Sequence, residues 1–129
     1  IGKSVNYRAS TLQVNNANSS FLGSIQGDGS AGTIALKITD QNGKVIKTLN
    51  VSSGADGNYD WQWDGKDMAS KSVPVGSYTV QATPSDGGQA SVLLKDSVGQ
   101  VNFDNSGQTR LIFTDGQSAN IQDVASIES

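Results

Sequence analysis

Thr33-Ile34-Ala35-Leu36-Lys37-Ile38-Thr39-Asp40-Gln41-Asn42-Gly43-Lys44-Val45 is the stretch on which the fold turns. Ile34, Leu36 and Ile38 alternate with small or polar residues, a period of two that sets them on one face of a strand. Asp40-Gln41-Asn42-Gly43 then interrupts the alternation, and Asn-Gly is a strong hairpin signal because both residues tolerate positive φ. The following run presents Val45 and, after a break, Leu49 and Val51, so the two segments read as a hairpin with one apolar face.

The same grammar extends in both directions. Short, β-branched, alternating segments predict strands at Ser4 to Tyr7, Thr11 to Val14, Phe21 to Ile25, Thr33 to Thr39, Val45 to Val51 and Asn58 to Trp63. Five more follow at Ser77 to Thr83, Gln89 to Lys95, Val98 to Phe103, Thr109 to Thr114 and Ser118 to Ile121. Turn punctuation at Asp86-Gly87-Gly88, Asn105-Ser106-Gly107 and Asp115-Gly116 separates them as an antiparallel meander. Leu22-Gly23 is expected to interrupt the strand that starts at Phe21. At the end of the chain Ile121, Val124 and Ile127 recur every third residue, which predicts a short helical turn packed on a sheet.

Eleven strands exceed one seven-strand sandwich. The middle of the chain, between the Asn15 to Ser20 linker and the strand ending at Lys95, holds six predicted strands, close to an immunoglobulin-like or fibronectin type III-like sandwich. The first two strands and the last three are left to pair with one another as a small five-strand barrel. The predicted organisation is therefore all-β, with a sandwich over residues 20–91 inserted into a discontinuous barrel made of residues 1–19 and 92–129.

Composition bounds the chemistry. Among 129 residues there is no Cys and no His, which removes disulfides, thiol nucleophiles, the usual zinc ligands and the side chain best suited to proton transfer near neutral pH. The net charge is −3, and nine Lys and Arg are scattered singly, so nothing builds the positive stripe a nucleic acid requires. No apolar run approaches the roughly 18–20 residues that span a bilayer. The chain opens at Ile1 rather than Met and reads as a fragment of a longer protein. Neither nucleic acid, nor membrane, nor a small-molecule substrate is expected as a partner, and no enzymatic activity is expected.

The most specific stretch is Trp61-Gln62-Trp63-Asp64-Gly65-Lys66-Asp67, followed by Val73-Pro74-Val75-Gly76-Ser77-Tyr78-Thr79-Val80. It reads as strand, tight turn, loop, strand, with Trp61 and Trp63 on one face, Pro74 stiffening the loop and Gly76 easing entry to the strand of Tyr78. This arrangement resembles the flagellar hook-capping (hook-scaffolding) protein family, which carries W-D-G-x-D, then P-x-G-x-Y, after a D-x-N-G turn. Here those pieces are Trp63-Asp64-Gly65-Lys66-Asp67, Pro74-Val75-Gly76-Ser77-Tyr78 and Asp40-Gln41-Asn42-Gly43. The opening Ile1-Gly2-Lys3-Ser4-Val5 and the closing Gly116-Gln117-Ser118 with Asp123-Val124-Ala125-Ser126-Ile127 resemble the two ends of the family's globular core.

The resemblance implies a fibronectin type III-like sandwich inserted into a Tudor-like (SH3-like) barrel. It further implies a structural role at the distal end of the growing bacterial flagellar hook, reached by export from the cytoplasm. The implied partners are the hook protein and further copies of the chain in a homo-oligomeric cap. An accessory carbohydrate-binding or adhesive domain of a secreted bacterial protein is the alternative. In both readings Asp40, Asn42, Gly43, Trp63, Asp64, Gly65, Asp67, Pro74, Gly76 and Tyr78 are structural motif residues.

Sharper chemistry has a plainer counterpart at each position. Asp56, Asp60, Asp64 and Asp67 are potential calcium ligands, but their spacing misses the D-x-[DN]-x-[DN]-G loop, which favours turn chemistry. As acid and base for glycoside hydrolysis they would need a cleft and a raised pKa. Trp61 and Trp63 suit a sugar platform or a sandwich core, and the core is favoured. Tyr7, Phe103 and Phe113 suit a cage for a methylated lysine or the filling of a barrel, and filling is favoured. No cofactor, metal or catalytic residue is expected. Lys37, Thr39, Lys47 and Asn50, with the Asn15 to Ser20 linker, are the sequence's candidates for a contact surface.

Overall fold

The structure is a computed structural model that describes residues 2–16, 19–27, 32–53, 59–114 and 117–128. These contain eleven strands and one 3-10 turn: β1 (Ser4–Arg8), β2 (Thr11–Val14), β3 (Phe21–Gly27), β4 (Thr33–Thr39), β5 (Val45–Ser52), β6 (Tyr59–Trp63), β7 (Gly76–Pro84), β8 (Ala90–Phe103), β9 (Thr109–Phe113), β10 (Ser118–Asn120), the turn Ile121–Asp123 and β11 (Val124–Glu128).

The hairpin quoted first forms as β4 and β5, with Ile34 opposite Val51 and Leu36 opposite Leu49. Ile34, Leu36 and Ile38 are essentially inaccessible to solvent, as the alternation requires. β4 and β5 belong to a four-stranded antiparallel sheet in the order β2-β7-β4-β5. Facing it, β6 pairs with β3 and β3 pairs with the first half of β8. Together these make a seven-strand sandwich with one shared apolar core, running from Leu12 and Val14 through Trp61, Trp63 and Tyr78 to Leu94.

The seventh strand is β2, which sequence reading placed with the barrel. Its register is Thr11 opposite Thr79 and Leu12 opposite Tyr78. Only Ala9 and Ser10 separate β1 from β2, and Ala9 N–H donates to Val92 O while Ser10 O accepts from Val80 N–H. The short link thus carries the chain from one sheet to the other instead of turning a hairpin. Leu12 and Val14 gain the deeper burial there, since both are fully enclosed.

β8 is one continuous strand where two were predicted. Its first half pairs with β3, and residues from Leu93 to Ser97 pair with β1 on the other edge. Beyond an irregularity between Val98 and Gln100, its second half pairs with β9. The barrel module is the five-strand path β10-β9-β8-β1-β11. β11 takes the place that had been given to β2, so the expected closing helical turn shrinks to Ile121–Asp123 and the rest extends against β1, Val5 opposite Ile127. Asn120 caps that turn by accepting from Gln122 N–H. Arg8 donates to Gln122 O at 3.1 Å and ties the turn to β1.

Tyr7 on β1 and Phe113 on β9 stack at 4.6 Å across the intervening β8. Strands two apart in a flat sheet lie about 9.6 Å from one another, so rings meeting at this distance lean together over a curled sheet. Phe103 had been expected in the same filling and is 78% exposed. The reason is geometric. β1 reaches only as far as the Gly2 N–H bond to Val98 O, and β10 pairs β9 only from Ile112 to Arg110, so the Phe103–Thr109 end of the β8–β9 pair runs past both neighbouring strands as an arm.

Leu22-Gly23 does not break β3. Gly23 lies between Leu94 and Trp61 in the ladder, and a Cβ there would stand 2.1 Å from Leu93 O and 2.8 Å from the Trp61 ring. The missing side chain lets the indole lie flat on the sheet, a device that pairs an aromatic ring with a strand glycine. The predicted turn at Asp115-Gly116 and the residue Asp56 lie outside the described residues.

Candidate functional site

The motif residues converge on one end of the sandwich. β4 and β5 are joined there by Asp40–Lys44, and β6 and β7 by residues 64–75. The second connection is itself a folded loop. Lys66 bridges Ser72, Gly65 O accepts from Val73 N–H, and Trp63 Nε1 donates to Lys66 O at 2.9 Å. Gly65 has φ +76°, and a Cβ would meet Ser19 O at 2.6 Å, so this position requires glycine twice over.

Trp63 is the anchor. It stacks on Phe21 at 5.6 Å and meets the edge of Tyr78 at 6.0 Å. The Tyr78 hydroxyl donates to Pro74 O four residues upstream, the tyrosine-corner arrangement of sandwich folds. Burial, and secondarily the Asp40 charge, push the Tyr78 phenol above its usual pKa, so it stays a protonated donor. Pro74 and Gly76 shape the loop that this hydroxyl holds.

The three aspartates act on backbone. Asp40 Oδ1 accepts from the N–H groups of Asn42 and Lys44, both at 2.9 Å. Asp67 Oδ1 does the same for Ala69 and Lys71 at 2.9 and 3.0 Å, and Asp64 Oδ1 accepts from Lys66 N–H at 3.1 Å. Residues Asp40–Lys44 and Asp67–Lys71 are the same five-residue turn: in each the first N–H donates to the fifth C=O and the fourth N–H to the first C=O. The fourth residue has positive φ, +84° at Gly43 and +64° at Ser70. Asp104–Gln108 on the barrel arm repeats it, with Gly107 at +85°. Backbone N–H donation from Lys71 holds the Asp67 carboxyl below its ordinary pKa. The Ser106 hydroxyl, then Gln108 N–H, does so for Asp104.

These contacts leave the carboxylates occupied as turn acceptors. Among the described residues no group of three His, Cys, Asp or Glu is arranged to hold a metal ion. Asp60 stands exposed on β6, away from the turns. Trp61 and Trp63 are both buried, with Trp61 Nε1 donating to Ser24 O, and provide no sugar platform. Tyr7 and Phe113 stack face to face and leave no cage between them.

Of the sequence's surface candidates, Lys37 and Asn50 are exposed while Thr39 and Lys47 are half-buried. In the linker, Ser19 Oγ accepts from Asn15 and Asn16 N–H. Sequence reading passed over Met68 and Val75 and set Val45 on the apolar face of the hairpin, whereas the register shift between Ile38 and Thr39, beside the Thr39–Val45 pair, accompanies an exposed Val45. Val45, Met68 and Val75 are 46%, 68% and 66% exposed, although each sits in a run that reads as strand or turn.

A family model described as the FlgD Ig-like domain matches residues 9–88, more than half of the chain, and its start before β2 agrees with β2 as a sandwich strand. The chain belongs to the FlgD Ig-like domain family. Over 58 residues, 45% of this chain, it is 38% identical to the basal-body rod modification protein FlgD of Salmonella typhimurium. It is 34% identical over the same length to the Escherichia coli protein of that description. In both cases the match spans a quarter of the relative's length. Among solved structures, FlgD from Xanthomonas campestris, described in terms of hook capping essential for flagellar assembly, shares the fold with TM-score 0.79. It is 23% identical, and the likeness covers 99% of this chain and 94% of that one. FlgD from Pseudomonas aeruginosa follows at TM-score 0.70 and 23% identity, covering 98% and 96%. The whole chain, barrel included, therefore has the sandwich and barrel arrangement of those proteins.

Proposed function

We propose that this chain is the globular, non-enzymatic core of a flagellar hook-assembly scaffold. It acts at the distal end of the growing hook, outside the cell after export, by contacting hook-protein subunits and further copies of itself. The observation that carries the reading is the FlgD Ig-like family match over residues 9–88. Two features of the molecule support it: the motif carboxylates serve the backbone of turns, and the sequence supplies neither His nor Cys for chemistry. A module of this kind acts through its surface.

The test is complementation. The full-length parent gene is expressed in a motile bacterium lacking its own hook-capping protein, beside a host-matched capping gene as control, and hooks are scored by electron microscopy. Restored hooks and swimming are expected. Hook protein leaking out unpolymerised, while the control restores hooks and the parent protein is exported, would overturn the reading. Strong retention on polysaccharide would then favour the accessory-domain alternative.

A further inference from the structure

Asn42-Gly43, at the tip of the β4–β5 hairpin, carries a reactivity that the fold does not call on. An asparagine before glycine is open to cyclisation, because the next backbone nitrogen has no side chain beside it to hinder its approach to the Asn carboxamide. Asn42 and Gly43 are both exposed, and a Cβ on Gly43 would meet nothing within 4 Å. Water reaches the site, and packing gives it no cover.

Hydrogen bonds do. Gly43 N, the attacking atom of such a cyclisation, donates its hydrogen to Asp40 O at 3.1 Å. Asp40 Oδ1 accepts from the N–H groups on either side of it, those of Asn42 and Lys44. The Asp40–Gly43 bond encloses Gln41 and Asn42, and Gly43 follows at φ +84°, the hairpin connection made of a type I turn and one left-handed residue. In a type I turn the second enclosed residue has ψ of about 0°, which splays its Cβ and the next nitrogen apart around the Cα–C bond. Closing a five-membered ring needs those two atoms nearly eclipsed, so Asn42 reacts only when the turn opens.

The two sister turns show that an amide is not required at this position. Ala69 and Ser106 stand where Asn42 stands, and their N–H groups donate to Asp67 and Asp104 Oδ1 at 2.9 and 3.0 Å. We infer that Asn42 is a latent deamidation site, held unreactive by the Asp40 clasp while the hairpin is folded and released when the hairpin opens. On opening, Gly43 N gives its proton to solvent and bonds to Asn42 Cγ. The Cγ–Nδ2 bond then breaks, and the nitrogen takes up a proton and leaves as ammonia. One water opens the succinimide at either carbonyl, to aspartate or to isoaspartate. Both products add a negative charge two residues from Asp40, and isoaspartate also lengthens the backbone by one carbon, which the register from Thr39 to Val45 does not accommodate. A single opening is thereby made permanent. None of this depends on the hook-assembly reading.

The experiment incubates the full-length parent protein in mildly alkaline buffer, folded and in guanidinium chloride at the same pH. The Asn42 peptide is followed by mass spectrometry for conversion of amide to acid and for isoaspartate. Wild type is compared with Asp40→Ala, which removes the clasp, and with Asn42→Ala, which copies Ala69 and should keep the fold while yielding no product at this position. Circular dichroism verifies that each variant is folded under the assay conditions. Folded wild type is expected to convert about tenfold or more slowly than the denatured chain, as a segment that must open locally does. Folded Asp40→Ala should convert about fivefold faster than folded wild type, the factor that loss of its hydrogen bonds to backbone supplies. Folded wild type converting as fast as the denatured chain overturns the inference, whether or not Asp40→Ala folds. A folded Asp40→Ala protein that converts no faster than wild type also overturns it, as does a denatured chain that leaves Asn42 intact.

Discussion

The sandwich and the barrel solve the problem of a ring-poor sequence in different ways. The sandwich concentrates Phe21, Tyr59, Trp61, Trp63 and Tyr78 between two facing sheets, where each ring is covered from both sides. The barrel has one stacked pair, Tyr7 and Phe113, with Val5, Val98, Leu111 and Ala119 around it, and its strands come from opposite ends of the chain. Aromatics make up only 6% of the residues, so the second module cannot be built like the first. β8 compensates. It is shared by both modules, central in the barrel path and the edge of the sandwich's second sheet, and its backbone is bonded on one edge to β1 and on the other to β3 and then β9. The barrel thus rests on a strand that the sandwich core already holds in place.

The largest expected effect tests that dependence. Trp63→Ala removes the ring at the centre of the Phe21 and Tyr78 contacts and should cost about 3–5 kcal/mol of stability. Phe113→Ala should cost a similar amount from the barrel side. Chemical denaturation followed by tryptophan fluorescence and by far-UV circular dichroism should still give coincident transitions in both variants, because β8 cannot leave one module without the other. Two separated transitions in either variant would break the comparison and make the modules independent folding units.

A smaller effect sits at the junction. Gly23→Ala drives a methyl group toward Leu93 O and the Trp61 ring, and since the first of these is backbone the strands must shift. A loss of about 1–3 kcal/mol is expected, measured from the denaturation midpoint. An unchanged midpoint would show that β3 and β8 have more freedom than the ladder implies.

The three repeated turns compare the modules residue by residue. Asp40–Lys44 and Asp104–Gln108 place Gly at the left-handed position, whereas Asp67–Lys71 places Ser70 there, the one non-glycine residue with positive φ among those described. Ser70→Gly should relieve that strain and stabilise the protein by about 0.5–1 kcal/mol after the added backbone entropy of glycine is offset. A fall in melting temperature would mean that the Ser70 side chain contributes more than its backbone conformation costs.

The legibility of the sequence follows the same division. The β4–β5 hairpin could be read because alternation and turn chemistry are local, and both agree with the final packing. β2 could not be placed, since Leu12 and Val14 alternate equally well for either module and only the register with β7 decides. The three-residue spacing of Ile121, Val124 and Ile127 suggested a helix, but it spans too few residues to separate that reading from a 3-10 turn followed by an edge strand. Phe103 resembled a core residue because sequence alternation carries no information on how far a neighbouring strand extends. At the candidate site the motif residues were visible through their types and spacing. Met68 and Val75 were not, and Val45 was set on the apolar face, because exposure is a property of the assembled surface.

Acid gives the finest comparison, between one turn of the sandwich and one of the barrel arm. Asp67 and Asp104 both have carboxyls held below their ordinary pKa by donors of their own turns. A group whose pKa is lower folded than unfolded contributes stability above the unfolded value, near pH 3.9 for aspartate, and loses it as pH falls through the folded value. The contribution should be complete at neutral pH and decline below about pH 4. Asp67→Asn and Asp104→Asn should each melt below the parent at pH 7, with the gap narrowing on acidification because the variants have nothing left to protonate there. Both carboxylates are solvent-exposed, so the effect should be small and should weaken with salt. If Asp67→Asn shows the narrowing gap and Asp104→Asn does not, the barrel arm frays before the rest of the molecule unfolds, and β8 stops transmitting stability beyond Val98, where β1 ends.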